Sequence, residues 1–263
     1  MEWPVTSRTI HCSDPVAPAN VNAPATDVDT IATDACGTCI MRGYCLPSWG
    51  EPGAPPPLQR THIARRRVRK GQAVFRQGDR SEYLYAVRFG SFKSVTGLRD
   101  GREQVMSFHL PGELFGFEGL ADGAQPCTVR AIEDAEVCVL PLADVSEAAG
   151  ESRFVLHRLT QALSMELVRE RRMAALIANT RSEERVGTFL LNLSQRLSER
   201  GYSAREFQLR MTREEIGSYL GATLETVSRC LSSLARQGFV TVHRRQIEIV
   251  DADGLRASYE TPA

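Results

Sequence analysis

The chain has 263 residues, 42% of them hydrophobic and 24% charged, with 32 basic residues balanced by 32 acidic ones. That length makes one large or two ordinary domains with enough apolar content for packed cores. Balanced charge leaves no global basic field, so a polyelectrolyte-coating protein is excluded and any nucleic-acid contact must come from a local surface. No run of about 18 apolar residues exists to span a bilayer, and the N-terminus lacks the basic-then-apolar layout of a secretory signal. A cytoplasmic protein with no membrane partner is expected.

Residues 1–35 are rich in Pro, Ala, Asn, Thr and Asp without an apolar period, which predicts a disordered tail. Residues 36–57 hold a tight cysteine loop, Cys36-Gly37-Thr38-Cys39 through Cys45, and then a Pro-rich strap, Glu51 to Pro57. From 58 to 149 short β-type runs alternate with turn residues. Tyr83–Val87, Glu103–Leu110 and Glu136–Leu140 are strand candidates, and their spacing predicts an antiparallel β-roll.

After Pro141 the apolar period changes from two to about 3.6. The region 150–179 contains a long helix candidate, Arg153–Asn179, free of Gly and Pro. Steps of three and four along it give Leu156, Leu159, Leu163, Glu166, Glu170, Met173 and Ile177, a seam suited to a two-stranded homodimer. The same stripe also fits an ordinary interdomain helix packed on the roll. Residues 180–263 begin with a helix candidate from Ser182 to Gly201. Thr212-Arg213-Glu214-Glu215 is a capping box opening a short helix that ends at Leu220. Gly221 supplies a turn, Thr223 caps a second helix ending near Gly238, and Phe239–Val250 alternates like a hairpin around a basic tip. The expected fold is therefore α+β: an N-terminal β-roll, a long dimerisation helix and a C-terminal winged helix-turn-helix.

Glu225, Ser228 and Arg229 stand at i, i+3 and i+4 on the second of those helices and share one face, while Val227, Leu231 and Leu234 line the opposite face. The exposed set combines a guanidinium fork, an acceptor and a hydroxyl. Arg pairs bidentately with guanine and Glu accepts from cytosine N4, so these side chains suit a G·C step of double-stranded DNA, with about 1–3 kcal/mol of discrimination per good bidentate contact. Arg213, Thr226, Arg244 and Arg245 are better placed for phosphates. The plain alternative is a surface ion pair between Glu225 and Arg229, worth a few tenths of a kcal/mol. No nucleophile–base constellation or phosphate-cradling loop is present, so the chain is not read as an enzyme. The five histidines, at 11, 62, 109, 157 and 243, have no short metal-ligand spacing.

Roll, long helix and winged helix-turn-helix in this order resemble the CRP/FNR family of bacterial transcription regulators. Gly112-Glu113-Leu114 with Gly116 is similar to the family's roll motif. Leu224-Glu225-Thr226-Val227-Ser228-Arg229 resembles the FNR recognition helix and differs from the cyclic-AMP branch, which has Arg in place of Leu224 and Gly in place of Ser228. Where that branch binds the cyclic phosphate with Arg and Ser, this chain has Gln125 and Pro126, which supply no cation, so no cyclic nucleotide is expected.

Seven cysteines are present, and the resemblance implies that Cys36, Cys39, Cys45 and Cys138 ligate a [4Fe-4S] cluster. An all-thiolate zinc site is the chemical rival, and a regulator gated by a small ligand in the roll is the alternative without a redox cluster. Cys12, Cys127 and Cys230 are left without a role. The resemblance further implies an oxygen-responsive regulator whose cluster favours the dimer, a TTGAT-type palindrome with half-sites about one helical turn apart, and contact with RNA polymerase. The segment 98–103 matches the loop that touches the sigma subunit, although its arginines depart from the acidic character of that loop. By resemblance Glu170 opposes association in the seam; neutralisation by Arg169, Arg171 and Arg172 is the alternative.

Overall fold

A computed structural model describes residues 28–30, 39, 41, 63–98 and 100–259. Cys36, Cys45, Cys12 and the strap at 51–57 lie outside the described residues. The roll consists of two antiparallel sheets. One has the order β1 (Val28–Thr30), β2 (Ala64–Val68), β9 (Ala135–Pro141), β4 (Tyr83–Phe89) and β7 (Leu114–Phe115). The other has the order β3 (Ala73–Phe75), β8 (Thr128–Ala131), β5 (Phe92–Gly97) and β6 (Glu103–His109). Aromatic rings fill the space between the sheets, with Tyr85 stacked on Phe115 at 5.3 Å and Phe75 and Phe92 tilted against Phe115.

The expected tail at 1–35 requires a correction: Val28–Thr30 pair antiparallel with Ala64–Arg66. Two of those three residues are β-branched, and they cover the otherwise open edge of β2.

Helix α1 (Leu142–Glu151) follows Pro141, and helix α2 (Arg153–Asn179) begins at once, with the Ser152 hydroxyl accepting from the Val155 N–H at 3.4 Å. The expected dimer seam divides on this helix. Leu156 and Leu163 are 52% and 42% exposed, and Glu170 is also exposed. Leu159 instead packs on the roll, Met173 packs on the C-terminal core, Glu166 pairs with Arg169 at 2.6 Å and Ile177 lies against Gly221. A straight helix drifts about 20° per heptad from a 3.5-residue repeat, so a seam stepped over three heptads leaves its face. Leu167, which that stepping missed, is 51% exposed on the side of Leu156 and Leu163.

The C-terminal part holds α3 (Ser182–Ser198), α4 (Arg213–Leu220), α5 (Leu224–Arg236) and a three-stranded sheet of β10 (Glu206–Gln208), β12 (Gln246–Ile249) and β11 (Val240–His243). A last helix, α6 (Ala252–Ala257), is capped by Asp251, whose carboxylate accepts from the Gly254 N–H at 2.8 Å. Its core is continuous with the roll: Val95, Val105, Phe108, Leu110 and Ile132 share one apolar cluster with Phe189, Ile216, Tyr219 and Leu231. Helix α5 therefore rests on a body that includes the β3–β8–β5–β6 sheet. Among the described residues, no helix is long and apolar enough to cross a membrane.

Candidate nucleic-acid interface and cysteine site

Helix α4 starts with both halves of its capping box formed: Thr212 Oγ1 accepts from the Glu215 N–H at 3.1 Å, and Glu215 Oε2 accepts from the Thr212 N–H at 2.6 Å. The chain then reverses tightly. Gly221 adopts φ +63°, and a Cβ on Gly217 would lie 2.6 Å from the Ala222 carbonyl oxygen. Only glycine tolerates that approach, so this pair sets how closely α5 can follow α4.

Thr223 caps α5, accepting from the Thr226 N–H at 3.2 Å. Val227, Leu231 and Leu234 are buried, which fixes the helix's rotation and turns the opposite face outward. On that face Glu225 and Arg229 are exposed and Ser228 is half-buried. Among the described residues no ion pair joins Glu225 to Arg229; the Arg229 guanidinium donates instead to Thr226 Oγ1 at 3.4 Å. Hydrogen bonds from the helix start and Thr223 hold the Glu225 carboxyl below its ordinary range, so it stays an acceptor. The three expected base-reading side chains share this exposed face.

The expected phosphate contacts lie on α4, on α5 and at the β11–β12 turn. Arg213 is half-buried at the start of α4. Arg244 and Arg245 form the two-residue tip between His243 and Gln246, with Arg244 at φ 54°. Thr226 is already engaged by Thr223 and Arg229, so it takes part in positioning these side chains.

Of the four proposed cluster ligands, Cys39 and Cys138 are described. Cys138 stands mid-strand on β9, opposite Arg65 on one side and Ala86 on the other. Cys39 packs on the same apolar cluster as Cys138, together with Met41, Leu84 and Leu140. Arg88 lies within hydrogen-bonding reach of Cys39 and binds Glu136 at 2.8 Å. Burial pushes the Arg88 guanidinium down, but Glu136 and Cys39 outweigh it and hold the positive charge beside the thiol. Two soft donors thus meet at one wall of the roll. Among the described residues no group of three or more metal-ligating side chains forms.

Cys127 and Cys230 are buried elsewhere, and burial pushes the Cys127 thiol up to about 11, which suits a core residue. Gln125 is buried and donates to Ser81 Oγ at 3.2 Å. His109 is sealed against Phe115 and shares a 2.7 Å hydrogen bond with Ser94.

One constellation was not read from the sequence, where Glu113 stood only as part of the Gly112-Glu113-Leu114 motif. Glu113, 6% exposed, binds Arg196 bidentately, with Nε to Oε1 at 2.9 Å and Nη2 to Oε2 at 2.6 Å. Arg200 adds a 3.0 Å contact to the same carboxylate. In sequence both arginines look like ordinary cations on a solvated helix face.

Comparison with known proteins gives two domain matches: the cyclic nucleotide-binding domain model over residues 65–152 and the Crp-like helix-turn-helix domain model over residues 184–258. The chain is 37% identical to the transcriptional regulatory protein btr of Bordetella pertussis, covering 84% of this chain and 91% of that protein. It is 36% identical to the anaerobic regulatory protein of Haemophilus influenzae, covering 84% and 86% respectively. Among solved structures it is similar to FixK2 from Bradyrhizobium japonicum, with a TM-score of 0.70, 34% identity, and coverage of 76% of this chain and 99% of that one.

Proposed function

Because this chain belongs to the CRP/FNR family of transcription regulators, we propose that it controls transcription in response to oxygen, binding DNA as a homodimer when oxygen is absent. The chain is a DNA-binding regulator and not an enzyme. The anaerobic setting rests on its similarity to the Haemophilus protein of that name. The observation that carries the DNA reading is the exposed Glu225, Ser228 and Arg229 face on a capped, rotationally fixed helix. Arg229 takes guanine O6 and N7 while Glu225 accepts from cytosine N4, and a two-fold dimer presents two such faces to a TTGAT-type palindrome.

Cys36, Cys39, Cys45 and Cys138 are the residues that would hold a [4Fe-4S] cluster, which supplies an oxygen-labile group when bound. The meeting of Cys39 and Cys138 on one apolar wall, with Arg88 alongside, supports that donor set. Cys138 ties the N-terminal loop to β9 at the foot of α2, since Val145 and Val155 belong to the same cluster. Ordering this wall favours α2 for pairing with a second copy through Leu156, Leu163 and Leu167. Glu170 lies exposed near that face, where its own symmetry mate opposes association. The loop at 98–103 is the segment offered to RNA polymerase.

Anaerobic isolation tests the reading. About four iron and four sulfide per monomer are expected, with palindrome binding lost on exposure to air. Stoichiometric zinc without iron, together with DNA binding indifferent to air and to Cys138→Ser, would overturn the oxygen response.

A further inference from the structure

The junction at Glu113 joins three parts of the chain. Its carboxylate belongs to the roll loop between β6 and β7, and its Oε2 also accepts from the Leu110 N–H at 2.9 Å. Arg196 and Arg200 come from the C-terminal domain, while Arg169 of α2 approaches Oε1 at 3.7 Å and holds Glu166 on its other side at 2.6 Å. Arg196 Nη2 further donates to the Phe108 carbonyl at 2.6 Å. A carboxylate this buried, gripped by a planar fork, admits one relative orientation of its two partners.

The same domain contact continues along β5 and β6. The Val105 N–H donates to Ser218 Oγ at 2.9 Å, Gln104 donates to the Ser218 carbonyl, and Lys93 Nζ reaches Glu215 Oε1 at 2.9 Å. Ser218 and Glu215 lie on α4, the helix that sets α5 through Gly217 and Gly221. Phe108 fills the space between, edge-on to Tyr219 at 5.1 Å and to Phe189 at 6.1 Å.

Glu113 is also one step from the cysteine wall. Ala86 on β4 pairs with Cys138 on one side and with Leu114 on the other. The Val87 N–H donates to the Glu113 carbonyl at 2.9 Å, and the Gly112 N–H donates to the Val87 carbonyl at 2.7 Å. The backbone carrying Glu113 is therefore laced to the strand that lies beside Cys138.

We propose that Glu113 is a positioning residue for DNA recognition: by holding Arg196 and Arg200 it fixes the angle of the helix-turn-helix against the roll and α2, and so sets the half-site separation a dimer can bind. This rests on the reading of the chain as a dimeric reader of a palindrome. A dimer whose reading helices are free to swing meets each half-site as well as before but tolerates altered spacing, because spacing is sensed by the angle between domains and not by base contacts.

The experiment uses the full chain, purified without oxygen, and measures binding to the palindrome, to versions with one base pair inserted or removed between half-sites, and to a single half-site. Glu113→Gln is expected to lower affinity for the natural spacing about tenfold or more, to reduce its preference over the altered spacings to within about threefold, and to leave half-site affinity unchanged. Glu113→Asp keeps a carboxylate and restores spacing preference. Arg200→Gln, which removes one contact and leaves the Arg196 fork in place, shows the same pattern to a smaller degree and serves if Glu113→Gln fails to fold. Unchanged spacing preference in a folded Glu113→Gln or Arg200→Gln dimer, or a loss at the half-site equal to that at the palindrome, overturns the proposal. Failure of the underlying reading is separately visible, since the unaltered protein would then bind palindrome and scrambled DNA alike.

Discussion

The proposed reading face on α5 and the junction at Glu113 draw on the same two groups, guanidinium and carboxylate, and differ in pairing and in exposure to water. Glu225 and Arg229 are hydrated, make no ion pair with each other and can exchange water for base edges. Glu113 and Arg196 are 6% and 5% exposed and are already bonded to each other, with Arg200 and the Leu110 N–H also on the carboxylate and the Phe108 carbonyl on the guanidinium. Exposed charge is available for an outside partner, whereas buried charge holds a geometry because leaving it unpaired is expensive. The contrast separates the face proposed to touch DNA from the junction proposed to aim it.

The comparison is broken most directly by removing one acid from each place. Glu113→Ala leaves Arg196 and Arg200 buried without their counter-charge and is expected to cost about 3–5 kcal/mol of stability. Glu225→Ala is expected to lower the denaturation midpoint only slightly, by the loss of its bonds at the helix start, while weakening DNA binding. Chemical denaturation of both variants checks this, and equal losses would erase the distinction.

Acid sharpens it further. Burial pushes the His109 imidazole down to about 4 from an ordinary value of 6.5, so between those pH values the unfolded chain binds a proton that the folded chain refuses. Stability is therefore expected to fall as pH drops from 6.5 toward 4, by roughly 3 kcal/mol at 1.36 kcal/mol per pH unit. Glu113 adds a second loss at lower pH. Burial raises its carboxyl, but Arg196 and Arg200 outweigh that and hold it far below its ordinary 4.5, so its stabilising contribution is complete above that value and declines below it. His109→Gln should remove the first decline and keep the second. A stability profile flat from pH 7 to 5 in the unaltered protein would count against a buried neutral imidazole.

Much of the C-terminal half was legible because its signals are local. Capping at Thr212 and Thr223, the turn at Gly221 and the spacing of Glu225, Ser228 and Arg229 all act within a few residues, and each appears in place. The roll's strands were legible for the same reason, through alternation around Tyr83, Glu103 and Glu136. The seam on α2 was only half legible. A heptad count cannot tell which stripe the chain's own roll and C-terminal core will cover, and Leu159 and Met173 went to those neighbours while Leu167 stayed exposed. The Glu113 junction was illegible as a contact, since its members lie at 113, 169, 196 and 200 and nothing local announces that two helix cations and a third just past a helix end will converge on one loop carboxylate.

On the exposed side, effects are expected in recognition alone. Arg229→Ala should cost about 1–3 kcal/mol of discrimination at a single G·C step of each half-site, with the denaturation midpoint unchanged. Titrations at matched salt against sites altered at that step measure it. If the unaltered protein binds the altered sites equally well, Arg229 does not read that base pair.

The smallest expected effect tests whether exposed charge can be traded for backbone ease. Arg244 occupies φ 54° at the wing tip, a conformation that costs a side-chain-bearing residue roughly 1–2 kcal/mol. Glycine removes that strain but adds about 0.5–1 kcal/mol of unfolded-chain entropy. Arg244→Gly should therefore stabilise the fold by roughly 0–1.5 kcal/mol, the difference of the two terms. It should weaken DNA binding equally for all sequences, because a phosphate contact carries no base information, and should flatten the dependence of log affinity on log salt by about 0.9 per subunit, about 1.8 for the dimer. Arg245→Ala separates the two effects: it lowers the salt slope in the same way with no gain in stability. A salt slope unchanged in both variants would remove the wing tip from the DNA interface and leave the α5 face to bind without it.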